Sequence, residues 1–203
     1  MSTDEDQVRP RRRLSREERQ RQLLDVACQL IREEGTDALT LGRLAEQAGV
    51  TKPVVYDHFG TRAGLLSALY VEFDARQTAL MDAALQASEA SLQSRAGVIA
   101  AAYVECVLQQ GREIPGVNAA LTGSPELESL KCEHESAFLD KCRDALEPFA
   151  GKGGISTAGL RAMLGAADGL SHAAATGEIT PEEAREELRA TIVAMVERSA
   201  QRA

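Results

Sequence analysis

The chain has 203 residues, of which 44% are hydrophobic and only 3% aromatic, enough to bury the core of one large or two small domains. A formal charge of −8 excludes a uniformly basic nucleic-acid coat. No apolar run approaches the roughly 18 residues of a membrane span and nothing resembles a signal peptide, so the expected location is the cytoplasm, with no membrane partner.

Alternating Val/Ile/Thr runs are missing, and Ala, Leu, Glu and Arg dominate, which predicts an all-α protein. The charge is unevenly spread. Residues 8–62 hold 11 Lys/Arg against 8 Asp/Glu, whereas residues 63–203 hold 12 against 20. An acidic distal body is repelled by a phosphate field that attracts the N-terminal part.

In chain order, residues 1–14 form a flexible arm with three adjacent cations, Arg11, Arg12 and Arg13, suited to lie along phosphates or in a narrow minor groove. Ser15-Arg16-Glu17-Glu18 is a capping box for a first helix carrying Leu24, Ala27, Cys28 and Ile31 on one face and closed by Gly35. From Thr40 to Arg62 the sequence predicts two short helices and a glycine turn. Leu41, Leu44, Ala45 and Ala48 make one apolar stripe. Gly49 ends that helix, Val50 pins the turn, and Thr51 caps the next helix. There Val55 and Phe59 point inward, leaving Lys52, Val54, Tyr56 and His58 for an outer face that can touch a duplex.

This run, Thr40, Leu44-Ala45, Ala48-Gly49-Val50-Thr51, Val55-Tyr56-Asp57-His58-Phe59 and Arg62, resembles the DNA-binding domain of the TetR family of bacterial transcriptional regulators. Two positions depart from the pattern: Arg62 stands where the family usually has Lys, and Gly42 where some members carry a base-reading arginine. The resemblance implies a three-helix helix-turn-helix domain over residues 15–62 and a larger helical effector-binding and dimerisation domain over residues 63–203. It also implies a regulator, in the first instance a repressor, that grips a palindromic operator in double-stranded DNA as a homodimer and is released by a small-molecule effector. The arm arginines, Lys52, Tyr56, His58 and Arg62 are expected to attract phosphates. Thr51, Lys52, Pro53, Val54 and Tyr56 are expected at base edges, with Thr40 and Arg43 flanking them.

Thr61 can cap a fourth helix with Leu65, Leu66, Leu69 and Phe73, running towards Leu85 and bridging reader and body. Another helix runs from Ser91 or Ser94 to Gln110, followed by a loop around Pro115 and Gly116. Ser124-Pro125-Glu126 restarts a helix reaching about Phe149. Gly151, Gly153 and Gly154 mark a break before a final pair, about 156–176 and 180–199, the last opened by the capping box Thr180-Pro181-Glu182-Glu183.

On the penultimate helix Ala158, Ala162, Ala166, Gly169 and Ala173 recur at three- and four-residue spacing, a smooth stripe for close packing about a two-fold axis. The resemblance places the dimer interface on these last two helices, with Leu188, Ile192 and Met195 from the final one. It also implies a pocket in the middle of the body. Tyr103, Cys106 and Val107 share one helix face, and Asn118, His134, Phe138, Arg143, Met163 and His172 are the other candidates for lining it. So few aromatics predict a mostly aliphatic pocket and a largely apolar effector.

Cys28, Cys106, Cys132 and Cys142 lack CxxC spacing, so free thiols are expected, with neither a metal nor a cofactor. The alternatives are a DNA-binding protein that answers to no ligand or to thiol oxidation. An all-helical enzyme is the remaining one, although no Ser-His-Asp set or phosphate loop is visible, and the chain is expected not to be an enzyme.

Overall fold

A computed structural model describes residues 14–114, 116–121 and 125–201, and among them every regular element is helical. Helix α1, Arg16–Glu34, opens on the expected capping box: the Glu18 amide donates to Ser15 Oγ at 3.1 Å while the Ser15 amide donates to Glu18 Oε2 at 2.7 Å. Its apolar face buries Leu23, Leu24, Ala27, Leu30 and Ile31. After a 3-10 turn, Thr36–Ala38, come α2, Leu41–Gln47, and α3, Lys52–Phe59. Gly49 adopts φ 64°, which places its amide on the Glu46 carbonyl at 3.2 Å and the Val50 amide on the Ala45 carbonyl at 3.0 Å. These two bonds close the end of α2 and set the direction of α3.

Helix α4, Arg62–Ala87, starts one residue after Thr61, whose hydroxyl accepts from the Gly64 amide at 3.0 Å. Gly64 is required by a close approach rather than by its φ. A Cβ there would lie 2.2 Å from the Phe59 carbonyl oxygen, so only a residue without one lets the end of α3 seat on α4. The N-terminal core gathers Leu30, Leu39, Leu44 and Val55 with Leu65, Leu66, Leu69, Tyr70 and Phe73 of α4. It also takes in Ile114 and Val117 from the body.

The body comprises α5, Leu92–Glu113; α6, Val117–Leu121; α7, Pro125–Leu146, extended by the 3-10 turn Glu147–Phe149; α8, Thr157–Thr176; and α9, Pro181–Gln201. Ser91 caps α5, Ser156 caps α8, and Thr180 with Glu183 forms the expected box at α9. Helix α5 runs through the middle, against α4, α7, α8 and α9. The second core is aliphatic, built on Ile99, Val104, Leu146, Leu160, Ile192 and Val196.

Two expectations are corrected here. After Gly116 the structure forms a short helix, α6, that the sequence did not predict, its five residues being too few to show a period. Leu188, Ile192 and Met195, placed by sequence at a dimer interface, are 1%, 0% and 4% exposed and fill the chain's own core, because α9 is packed between α5 and α8. Of the small-residue stripe, Ala158, Ala162 and Gly169 do lie exposed, and Ala166 and Ala173 are half-buried.

Because the clash at residue 64 is with backbone, which cannot swing aside, Gly64→Ala is expected to destabilise the chain by about 1–3 kcal/mol. Urea denaturation against the parent protein checks this; an unchanged midpoint would contradict it.

Candidate nucleic-acid interface and the cavity behind it

Helix α3 divides as its sequence predicts on the inner side. Val55 is 0% and Phe59 8% exposed, whereas Tyr56 is 53% exposed, the most exposed aromatic in the described residues. Thr51 occupies the N-cap position, but its hydroxyl makes no capping bond, so it is open to an outside acceptor or donor. Lys52 and Pro53 stand beside it, also exposed. The Lys52 stem runs past Gly42, where a Cβ would lie 3.6 Å from Cε and 3.9 Å from Nζ. Glycine at 42 therefore leaves a lane along which the ammonium reaches the start of α2. Thr40, exposed, caps that helix by accepting from the Arg43 amide at 3.0 Å.

Four other expected contacts are differently employed. Arg62 donates through Nε to the Leu39 carbonyl at 2.8 Å and through Nη2 to the Thr36 carbonyl at 2.7 Å, tying α4 to the turn after α1. Arg43 forms a forked pair with Glu34, 2.6 Å at Nη2 and 3.3 Å at Nε. His58 is half-buried, with Nδ1 enclosed and unbonded among the described residues. Burial, reinforced by Arg16, lowers its pKa below the usual imidazole value, which disfavours the charged form expected at phosphates. Val54 is half-buried too. Arg11, Arg12 and Arg13 lie outside the described residues, as does the side chain of Asn118.

Sequence reasoning passed over Arg16 and Asp57, 41 residues apart. Arg16 Nη1 donates to Asp57 Oδ2 at 2.8 Å and Nη2 to the Asp57 carbonyl at 3.1 Å, bracing α1 against α3. Both side chains are about two-thirds exposed, so the pair orients more than it stabilises.

Behind the reader, α4, α5, α7 and α8 enclose a cavity of about 190 Å³. Five of the expected residues line it: Tyr103, Cys106 and Val107 from α5, His134 and Phe138 from α7. Met163 does not; it is 2% exposed in the aliphatic core. His172 is exposed on α8 away from the cavity, and Arg143 pairs with Asp140 at 2.8 Å instead. The bridge helix supplies a wall that sequence reasoning missed, with Tyr70, Asp74, Thr78 and Met81 one turn apart along one face. That spacing is visible in the sequence once α4 is drawn as a helix.

The expected aliphatic lining is corrected as well. Tyr70, Phe73, Tyr103 and Phe138 contribute four rings, and charged groups stand between them. His134 Nδ1 meets Asp74 Oδ2 at 2.6 Å with the Tyr70 ring edge-on to the imidazole, and the Tyr103 hydroxyl donates to Asp168 Oδ1 at 2.6 Å. Composition counted the aromatics correctly; it could not show that folding would collect them in one place.

Comparison with known proteins places the reader. The model of bacterial regulatory proteins, tetR family, matches residues 23–69. The chain's N-terminal reader is a TetR-family domain. The tetracycline repressor protein class D of Escherichia coli is 39% identical over 82 residues, which are 40% of this chain and 34% of that repressor. The chain thus spans about a third of the length of the first curated relatives it matches. Likeness of fold extends further. A TetR-family transcriptional regulator of Streptomyces coelicolor superposes with a TM-score of 0.65 at 20% identity, over 89% of this chain and 95% of the other. The fatty acid degradation regulator FadR of Bacillus halodurans superposes at 0.70 and 15% identity, over 86% and 94%. The TetR match stops at Leu69, one residue before the first cavity residue, Tyr70. The residues of the cavity therefore lie outside the matched segment.

The thiols make burial testable. Burial pushes the Cys106 and Cys142 thiols up to about 12 and raises Cys28, while Cys132 is exposed. Since the thiolate is the reacting form, a disulfide reagent at pH 8 is expected to modify Cys132 first and the other three slowly. Peptide mapping of the labelled protein checks this; rapid labelling of Cys106 would contradict it.

Proposed function

We propose that the chain is a DNA-binding transcriptional regulator which grips a palindromic operator as a homodimer and lets go when a small molecule enters the cavity behind the reader. The observation that carries this reading is the position of α4. Tyr70 and Phe73 belong to the N-terminal core and line the cavity at the same time. A ligand that reshapes the cavity wall must therefore reach the packing that holds α3. Ile114 and Val117 make a second route, since the end of α5 and the start of α6 are also buried in that core.

The direct DNA contacts are assigned to Thr40, Thr51, Lys52, Pro53 and Tyr56, the exposed residues at the start of α2 and along α3. Two such faces held one helical turn apart match a two-fold operator. Effector release then needs only a difference in free energy between the DNA-competent and ligand-filled arrangements, about 1–3 kcal/mol in typical coupled proteins. Repression is the role suggested by the likeness to the tetracycline repressor; the cytoplasm follows as the place of action. Among the described residues no helix is long and apolar enough to cross a membrane.

Two measurements test the reading. On an operator recovered by mapping genomic occupancy, Lys52→Ala is expected to lower the slope of log affinity against log salt by about one phosphate. Tyr56→Ala is expected to weaken binding without moving the melting temperature. Fluorescence anisotropy across a salt series reads both, and an unaltered Lys52→Ala slope would remove that residue from the interface.

The dimer is proposed on the open face of α8. At Gly165 and Gly169 an added Cβ would meet nothing within 4 Å in the chain itself, so a larger side chain costs the monomer no packing. Gly165→Leu is expected to keep or raise helix stability while turning the dimer into monomers by sedimentation velocity. A dimer that persists would place the interface elsewhere.

A further inference from the structure

We propose that the cavity takes a compact organic cation, an amine or quaternary ammonium carried on an apolar or aromatic body; this rests on reading the cavity as the effector site. The four rings come first. Tyr70, Phe73, Tyr103 and Phe138 are drawn from α4, α5 and α7, and aromatic faces attract a cation while their bodies accept apolar surface. Tyr70 is more than nine-tenths buried and forms part of the cavity wall.

Next come the carboxylates. Asp74 on α4 takes one hydrogen bond from His134, and Asp168 on α8 takes one from Tyr103. An ionised carboxylate offers about four acceptor positions, so both retain capacity towards a ligand's N–H groups or positive charge. The cavity's two lysines are already paired, one of them with a carboxylate of the same lining. Lys141 is paired with Asp82, outside the lining, and Lys131 sits 3.6 Å from Glu135, which Arg161 also approaches at 3.5 Å. An entering anion would have to break those pairs and stand against Asp74 and Asp168.

The local field agrees in sign. After burial, the charges of Asp74 and Glu135 raise Tyr70, the Asp168 hydrogen bond and the charges of Asp168 and Glu135 raise Tyr103, and Asp74 raises Cys106. No cation offsets them at any of these three positions. Size restricts the rest: about 190 Å³ is below the range of drug-sized sites.

Three ligands with one body and different heads test this on the full chain by titration calorimetry at pH 7.5: 3-phenylpropylamine, 3-phenylpropan-1-ol and 3-phenylpropanoate. The amine is expected to bind roughly tenfold tighter than the alcohol, with the carboxylate weakest. Asp168→Asn, at an exposed position, is expected to remove most of the amine's advantage and leave the alcohol unchanged, with circular dichroism confirming the fold; Asp74→Asn serves as the second variant. Equal or tighter binding of the alcohol or the carboxylate overturns the proposal, as does the lack of saturable binding by all three. Amine binding that leaves operator affinity unaltered supports the cation site while overturning the effector reading on which it was built.

Discussion

The end of α3 rests directly on the start of α4, backbone against backbone, at a place where a side chain is prohibited. With the Phe59 carbonyl filling the space beside Gly64, the recognition helix has no soft layer beneath its C-terminus through which it could tilt alone. Arg62 strengthens the same joint by bonding two carbonyls of the segment before α2. Any motion of α4 is consequently passed on to α3 as a rigid displacement. A long helix with one end fixed in this way and its middle lining a cavity is the physical basis of the coupling proposed above.

That joint also explains why the two cores are continuous in one direction and separate in another. The N-terminal core is carried into the body by Tyr70, Phe73, Ile114 and Val117, whereas the aliphatic core on Ile99, Leu160 and Ile192 contains nothing from α1, α2 or α3. The aliphatic core holds α5, α8 and α9 together as a base. What lies between base and reader is the cavity, placed to respond to a guest.

The helix-turn-helix was legible because its signals are local. A capping box at Ser15, a left-handed Gly49 and the four-residue spacing of Val55 and Phe59 each act within one or two turns, and all agree with one another. The starts of α4, α8 and α9 were readable for the same reason, from Thr61, Ser156 and Thr180, and that of α5 as Ser91 or Ser94, of which Ser91 is the cap. Tertiary facts were not. Whether Arg62 faces solvent or the Leu39 carbonyl, whether Met195 fills a core or an interface, and whether Tyr70 and Tyr103 share a wall all depend on how helices far apart in sequence come together. The stripe on α9 looked like an interface because periodicity shows which residues are buried and not by what. His58 misled through its neighbours: Lys52 and Tyr56 on the same helix are exposed, yet the ring at 58 is half-buried with its Nδ1 enclosed.

The three tyrosines carry a practical implication. The chain has no tryptophan; Tyr56 stands on the face of α3, and Tyr70 and Tyr103 line the cavity. Its intrinsic ultraviolet emission therefore arises only from phenol rings at the two places where partners are proposed to arrive. Occupancy of either can be followed optically without attaching a dye, and replacing Tyr56 by Phe leaves a signal that reports on the cavity alone.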